Sequence, residues 1–183
     1  TALAPDLFII VAFSILPKAL LTVPRIGSVN LHPSLLPAYR GAAPIIWAVA
    51  NGEQETGIST FLLNPRVDAG DILMQRRIAI APDETAGQLE ARLCLLGADM
   101  VLETVDSLEN GSLTPLPQNH RGITRAPKLS KEDGRIDWSQ SAVLINNRIR
   151  GFNPFPGAFT TLAGQPLKVH RARLTEGTGT PGQ

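Results

Sequence analysis

An amide and an imidazole stand two residues apart at the end of a predicted strand, at Asn30 and His32 in the run SVNLHPSLLPAYRG (residues 28–41). Alternate side chains of an extended strand point to the same face, so both groups are expected on one side of the strand end. Two such donors can stabilise a carbonyl oxygen that gains negative charge during a reaction. The structural alternative makes His32 a strand-end residue bonded to the backbone and Asn30 a turn former, and these two residues alone do not exclude it.

Two aspartates, Asp68 and Asp71, lie in the glycine-containing run VDAGDI between two predicted strands. Loops of this kind commonly present polar groups to a ligand. A carboxylate brought close to His32 could act as a base or relay a proton from an attacking amine. The alternative is an Asx turn that only shapes the loop, which is the role expected for Asp71.

The elements that must position these groups alternate between strand and helix. The apolar, β-branched run at 6–13 predicts a central parallel strand covered on both faces, and a second strand follows at 27–31. The pattern then predicts, in order, a helix at 43–51, strands at 56–63 and 72–80, and a long amphipathic helix at 86–109. This order indicates an α/β fold with a parallel-type sheet, in which ligands bind beyond the carboxyl ends of the strands.

The composition changes after residue 111. Residues 112–133 are rich in prolines and basic residues and show no apolar periodicity, which predicts a linker across the surface. A helix from Ser139 to about Arg150, capped by Ser139, is predicted next, followed by a β-hairpin. We therefore expect a first domain at 1–111, a linker and helix at 112–150, and the start of a second, β-rich domain at 151–183.

The overall composition is that of a soluble globular protein. The 183 residues are 43% hydrophobic and carry a formal net charge of +1, which gives no general reason for attraction to nucleic acid or membranes. The single cysteine, Cys94, excludes an internal disulfide and a cysteine-rich metal site, and a cytoplasmic location is expected. Because the chain starts at Thr1, next to a strand, and stops just after a new strand pattern, we expect it to be part of a longer protein.

Basic residues are concentrated in the linker and the C-terminal region. An RNA could run along them through phosphate contacts. The alternative is a solvated surface of mixed charge, because acidic residues interrupt the series. The basic residues are Arg121, Arg125, Lys128, Lys131, Arg148, Arg150, Lys168, His170, Arg171 and Arg173.

Several runs resemble a known enzyme family. NLHPSLLPAYRGAAPIIWA, ETGIST and VDAGDIL resemble the catalytic region of the 10-formyltetrahydrofolate-dependent formyltransferases. RGAAPIIWA, APKLSKEDGRIDWS, IRGFNPFPGAF and GQPLKV are similar to the branch of that family that acts on methionyl-tRNA. The resemblance implies a transferase of translation initiation and one-carbon metabolism. It also implies the C-terminal half of a Rossmann-like formyltransferase domain, then the start of an OB-fold-like domain that helps to bind tRNA.

The resemblance also assigns residues. It places Asn30, His32 and Asp68 on the family's catalytic triad, which transfers a formyl group from 10-formyltetrahydrofolate to the amino group of methionyl-tRNA without a metal or a covalent enzyme intermediate. Asn30 and His32 would hold the formyl oxygen, and Asp68 would orient the imidazole and accept a proton. The full-length protein is expected to be monomeric, with no membrane partner. The expected folate-binding residues are Phe13, Ser14, Leu16, Ser34, Leu35, Leu36, Pro37 and Asp68.

The run VAFSILP departs from the family pattern V-A-[YF]-G-x-[IL]-L-P: it is one residue shorter and has Ser14 at the glycine position. The first strands of the family's domain are also missing, so the 183 residues alone are expected to have little or no transferase activity. The alternatives are a formyltetrahydrofolate hydrolase, a glycinamide ribonucleotide formyltransferase, or a non-catalytic folate- or RNA-binding module. FNPFPG and GQPLKV favour the methionyl-tRNA branch over the other two enzymes.

Overall fold

The computed structural model describes residues 3–13, 15–177 and 179. Helices and strands alternate through most of this part, which confirms the α/β class. No helix in it is long and apolar enough to cross a membrane. The elements are β1 (Leu7–Val11), α1 (Lys18–Leu21), β2 (Gly27–His32), β3 (Arg40–Gly41), α2 (Pro44–Ala50), β4 (Glu55–Leu62), β5 (Ile72–Ala79), α3 (Ala86–Glu109), β6 (Arg125–Ala126), a 3-10 turn (Glu132–Gly134), α4 (Ala142–Gly151), β7 (Ala158–Leu162) and β8 (Gln165–Val169).

The main sheet has the strand order β1-β2-β4-β5 and is mixed. Strands β1, β2 and β5 run in the same direction, whereas β4 lies between β2 and β5 and runs antiparallel to both. The prediction of a parallel-type sheet is therefore wrong for β4. The loop between β4 and β5, residues 63–71, contains no helix that could carry the chain back to the other end of the sheet, so the strands form a hairpin.

Strand β1 lies at the edge of this sheet in the part of the chain that the structure describes. Its outer residues are partly solvent-exposed, with Ile9 39% and Val11 53% accessible. The prediction of a central strand covered on both faces is wrong for the described residues. Strand β1 thus pairs only with β2 among the described residues, and some of its apolar side chains remain accessible to solvent.

Helix α3 covers the sheet and supplies much of the core. Thr85 and Gln88 form a capping box at its start, and Asn110 followed by Gly111 in the left-handed region ends it. Leu89 and Met100 are fully buried against residues of the sheet and α2, and each contributes on the order of 2 kcal/mol through burial. The predicted bounds of this helix are confirmed.

The linker is attached to the first domain rather than loose. Strand β6, inside the predicted linker, pairs in parallel with β3, and Leu116 exchanges two backbone hydrogen bonds with Ile72 at the start of β5. Helix α4 follows Ser141, whose hydroxyl accepts from the Leu144 amide, so the predicted cap at Ser139 is wrong. The hydroxyl of Ser139 instead donates to Asp137.

The C-terminal region packs on the first domain through α4. Gly151 lies so close to the backbone of Ala50 that a side chain there would overlap it, and this contact brings α4 against α2. Strands β7 and β8 form an antiparallel hairpin joined at Ala163 and Gly164. The remainder of an OB-fold-like barrel stays a prediction, as do the boundaries between the domains.

Candidate active site

A cavity of about 850 Å³ opens beyond the carboxyl end of β2. Asn30, His32 and Asp68, which are far apart in sequence, all line it. Asn30 and His32 come from the last residues of β2, and Asp68 comes from the loop between β4 and β5. The structure therefore brings the three predicted catalytic residues to one site.

Both ring nitrogens of His32 face protein groups. Nε2 lies 2.9 Å from the backbone oxygen of Tyr39, and Nδ1 lies 3.8 Å from Oδ2 of Asp68. A carbonyl oxygen only accepts hydrogen bonds, so Nε2 carries the proton. The neutral ring consequently presents the lone pair of Nδ1 on the side of Asp68.

Burial is the main influence on the charge of His32. The side chain is only 6% exposed, and this burial lowers its pKa, while the Asp68 carboxylate and the bond to Tyr39 oppose the change. The net effect lowers the pKa of His32 from its ordinary value. The imidazole is therefore neutral near pH 7 and able to accept a proton.

The Asp68 carboxylate is held by a backbone group. Its Oδ2 atom accepts a hydrogen bond of 2.8 Å from the amide of Gly41, at the end of β3. Asp68 itself has a positive φ of 48°, an uncommon conformation for a residue other than glycine, so the loop must be stabilised by its surroundings. These contacts place one carboxylate oxygen between the Gly41 amide and His32.

The amide of Asn30 faces the cavity without a partner among the described residues. It lines the cavity beside His32 and is half-buried. Because its side chain makes no hydrogen bond within the described part of the chain, its N–H groups are available to a bound molecule. A carbonyl oxygen in the cavity could receive a hydrogen bond from it.

Other parts of the cavity wall come from residues that the sequence analysis did not assign to the site. Helix α3 contributes Glu90 and Cys94, the linker contributes Lys128, and the C-terminal region contributes Pro154 and Phe155. The amphipathic pattern of α3 shows which residues face the core but not which of them border a cavity. The run FNPFPG was a signal for the last two residues, although only as part of a resemblance.

The predicted folate residues fall into three groups. Phe13 and Asp68 line the cavity, whereas Ser14 lies outside the described residues. The other five are not among the residues that border it. Their contact with folate stays a prediction, and they are Leu16, Ser34, Leu35, Leu36 and Pro37.

Hydrogen bonds explain the positions of Ser34 and Leu36, two of these five residues. Ser34 is fully buried, its hydroxyl donates to the backbone oxygen of Ala38, and its own backbone oxygen accepts from Ser59 on β4. The amide of Leu36 also donates to the Ser59 hydroxyl. The turn after His32 is thereby fixed against the sheet.

Comparisons with known proteins identify the family of the chain. A sequence model described as "Formyl transferase" matches residues 1–105, and one described as "Formyl transferase, C-terminal domain" matches residues 128–183. Two proteins named "Methionyl-tRNA formyltransferase" are similar to the chain. The one from Trichlorobacter lovleyi is 49% identical over 99% of the chain, and the one from Geobacter metallireducens is 51% identical over 98%.

The chain spans 58% of the length of each of these two relatives. Among solved structures, WlaRD, a sugar 3N-formyl transferase crystallised in the presence of dTDP and 5-N-formyl-THF, is similar with a TM-score of 0.64 and 25% identity. That match covers 68% of this chain and 47% of the other. The match of the sequence model to residues 1–105, more than half of the chain, shows that the chain belongs to the formyl transferase family.

Proposed function

We propose that the protein containing this chain transfers a formyl group from 10-formyltetrahydrofolate to the amino group of methionyl-tRNA. The observation that carries the proposal is the meeting of Asn30, His32 and Asp68 at one cavity. Identity of about one half to proteins named methionyl-tRNA formyltransferase supports this substrate over a sugar or a small phosphorylated amine. We place the reaction in the cytoplasm, where translation initiation supplies the tRNA.

The cavity is suited to a folate co-substrate. Its volume of about 850 Å³ falls within the range of small-molecule sites, and much of its lining is apolar, including Phe13, Ile46 and Phe155. Aromatic and aliphatic side chains of this kind can pack against a pterin ring. The presence of 5-N-formyl-THF in the WlaRD crystals supports the same class of ligand.

The chemical step begins with attack of the neutral amine on the formyl carbon. A C–N bond forms, and the carbonyl electron pair moves to the formyl oxygen. The Asn30 amide donates a hydrogen bond to this oxyanion, which stabilises the charge where it develops. The new ammonium group then gives a proton to Nδ1 of His32, directly or through water.

His32 takes a second role once Nδ1 is protonated. The imidazolium can donate to the oxyanion, and it lies 3.8 Å from the Asp68 carboxylate, which stabilises the positive charge. When the C–N10 bond breaks, the carbonyl re-forms and N10 of tetrahydrofolate takes the proton. The step therefore needs no metal and no covalent bond to the protein.

The basic surface supports an RNA substrate. Arg121, Arg125 and Lys128 are solvent-exposed in the linker, and Lys128 also borders the cavity. Phosphate contacts at these positions would bring the acceptor end of a tRNA toward the site. Arg150 is less suited to this role because its guanidinium donates to Asn147 and to the backbone of Glu84.

The proposal is tested by assaying formyl transfer with the full-length protein, 10-formyltetrahydrofolate and methionyl-tRNA. His32→Ala should lower kcat by roughly 10²- to 10⁴-fold, because the base is lost. His120→Ala, which removes an exposed histidine of the linker, is the matched control and should keep kcat within about twofold.

Other outcomes would identify the alternatives. Release of formate without formylation of the tRNA would indicate a hydrolase. Formylation of a small phosphorylated amine in preference to the tRNA would indicate the glycinamide ribonucleotide enzyme. Binding of RNA or folate with no turnover, unchanged by His32→Ala, would indicate a binding module. Each of these results contradicts the proposed function.

A further inference from the structure

A buried glutamine outside both family-matched ranges contacts the loop that carries Asp68. Gln118 is only 8% exposed and lies in the predicted linker, between the matched residues 1–105 and 128–183. Its side chain is far from Asp68 in sequence but adjacent to it in the structure. Burial of a polar amide is unfavourable unless its hydrogen bonds are satisfied, so the partners of Gln118 indicate what it does.

The amide nitrogen of Gln118 is directed at the backbone of the loop. Nε2 donates to the backbone oxygen of Asp68 at 3.0 Å and to that of Gly70 at 2.7 Å. These two oxygens flank the residue that follows Asp68, so a single amide group fixes both sides of the turn. The positive φ of Asp68 makes such external support necessary.

The amide oxygen of Gln118 is fixed as well. Oε1 accepts a hydrogen bond of 2.5 Å from the guanidinium of Arg40 on β3. Arg40 precedes Gly41, whose backbone amide donates to the Asp68 carboxylate. Gln118 thus connects the backbone on one side of Asp68 with the strand that holds its carboxylate on the other.

The backbone around Gln118 is itself attached to the sheet. Leu116 exchanges two hydrogen bonds of 2.8 Å with Ile72, the first residue of β5, which directly follows the Asp68 loop. The position of the Gln118 side chain is therefore set by the same strand that ends the loop. Because Gln118 is bonded to the backbone of this loop, movement of its side chain would also move Asp68.

From these contacts we propose that Gln118 is a positioning residue for Asp68 and is required for the rate of the chemical step. The inference rests on the proposed function, since it assigns Gln118 to formyl transfer. Gln118 does not line the cavity, so it acts through the loop rather than on a substrate. A displacement of about 1 Å at a reacting group can lower a rate by roughly 10²-fold.

Two substitutions in the full-length protein separate the contacts of Gln118. Gln118→Leu removes every hydrogen bond of the side chain. Gln118→Glu has nearly the same shape and keeps an oxygen for Arg40, but it places a second oxygen against the backbone oxygens of Asp68 and Gly70. If positioning of the Asp68 loop is the role, both variants should lose roughly 10- to 100-fold in kcat, with KM for folate within about threefold of the wild type.

The pH profile gives a readout that loss of stability alone would not change. The Asp68 carboxylate raises the pKa of His32 against the larger effect of burial. If Asp68 moves away, the pKa of His32 should fall further, and the acid limb of kcat/KM should move to lower pH in Gln118→Leu, which adds no charge near the site. The control is Thr104→Val, which removes a buried hydrogen bond to Thr60; neither residue lines the cavity, so the change should lower stability while keeping kcat within about twofold.

Failure of the Gln118 inference can be told apart from failure of the proposed function. The inference is overturned if Gln118→Glu keeps kcat within about threefold, if the loss lies in KM alone with an unchanged pH profile, or if the variant is too unstable to assay. If the wild-type protein transfers no formyl group, the proposed function fails instead. The positioning role is then decided by the pKa of His32, measured by NMR, which should be lower in Gln118→Leu than in the wild type.

Discussion

The Nδ1 atom of His32 and the Oδ2 atom of Asp68 lie 3.8 Å apart, and both residues line the cavity. The separation is too long for a hydrogen bond but short enough for a strong electrostatic interaction in a buried site. With Nε2 committed to Tyr39, Nδ1 is the nitrogen that can exchange a proton with a bound molecule. The carboxylate stabilises the protonated ring without sharing its proton.

The first prediction concerns the charge of Asp68. Asp68→Asn keeps an oxygen that can accept from the Gly41 amide but removes the negative charge beside the imidazole. We expect kcat for formyl transfer to fall by roughly 10²- to 10⁴-fold with the fold retained. Asp71→Asn, on the exposed side of the same loop, is the matched control and should keep kcat within about twofold. Equal rates for the two variants would contradict the role of Asp68.

The second prediction concerns pH. In the proposed mechanism transfer requires a neutral His32, and burial lowers the pKa of this residue from its ordinary value. The acid limb of kcat/KM should therefore have its midpoint below about pH 6.5. In Asp68→Asn the midpoint should move further toward acid, because the charge that raises the pKa is absent. A midpoint that rises in this variant would contradict the arrangement.

The lowered pKa of His32 also affects the stability of the folded protein. Below about pH 6.5 the unfolded chain binds a proton at His32 that the folded protein does not bind, so this residue lowers the free energy of unfolding as the pH falls. Denaturant unfolding at pH 5 and pH 8 measures the effect. His32→Gln should show a smaller difference between the two pH values than the wild type.

A further prediction concerns Gly41, where β3 and β6 meet. Gly41 has a φ of 128°, and an added Cβ would lie 2.5 Å from the backbone oxygen of Ala126. Gly41→Ala should separate the two strands, move the amide that holds Asp68, and lower both kcat and the thermal midpoint. Gly122→Ala is the control: it also has a positive φ, of 82°, but no neighbouring atom within 4 Å, so it should lower stability with little effect on kcat.

The last prediction uses the thiol of Cys94, which lies in the cavity wall and is exposed. If folate occupies this cavity, saturating 5-formyltetrahydrofolate should slow alkylation of Cys94 by N-ethylmaleimide at least several-fold. Mass spectrometry of the peptide containing Cys94 measures the rate. Cys94→Ser should lose the labelling, and a rate that is the same with and without the ligand would place folate elsewhere.

The residues that form the site could be predicted from the sequence because they lie at the end of a strand or in the loop between two strands. Asn30 and His32 follow a clear β-strand pattern, and Asp68 lies in a glycine-containing loop. The direction of β4 was predicted wrongly, since alternating helices and strands suggest crossovers. The length and composition of the loop that follows β4 were the better guide, as they allow only a hairpin.

The contacts that support the site could not be found in the same way. The backbone oxygen of Tyr39 and the amide of Gly41 are present in any sequence, so no residue type marks them. Gln118 lies in a proline-rich run without periodicity, which reads as a surface linker. Its role depends on the pairing of β6 with β3, a contact between segments far apart in the chain.

That pairing makes the segment 112–127 a structural part of the first region, although neither family match includes residues 106–127. Chimeras between relatives are often joined at apparent linkers. A junction placed before residue 116 would combine the Asp68 loop of one protein with the supporting glutamine of another, whereas a junction after Ala126 would transfer both together. A chimera junction that keeps these contacts within one parent protein thus lies after β6, next to Pro127.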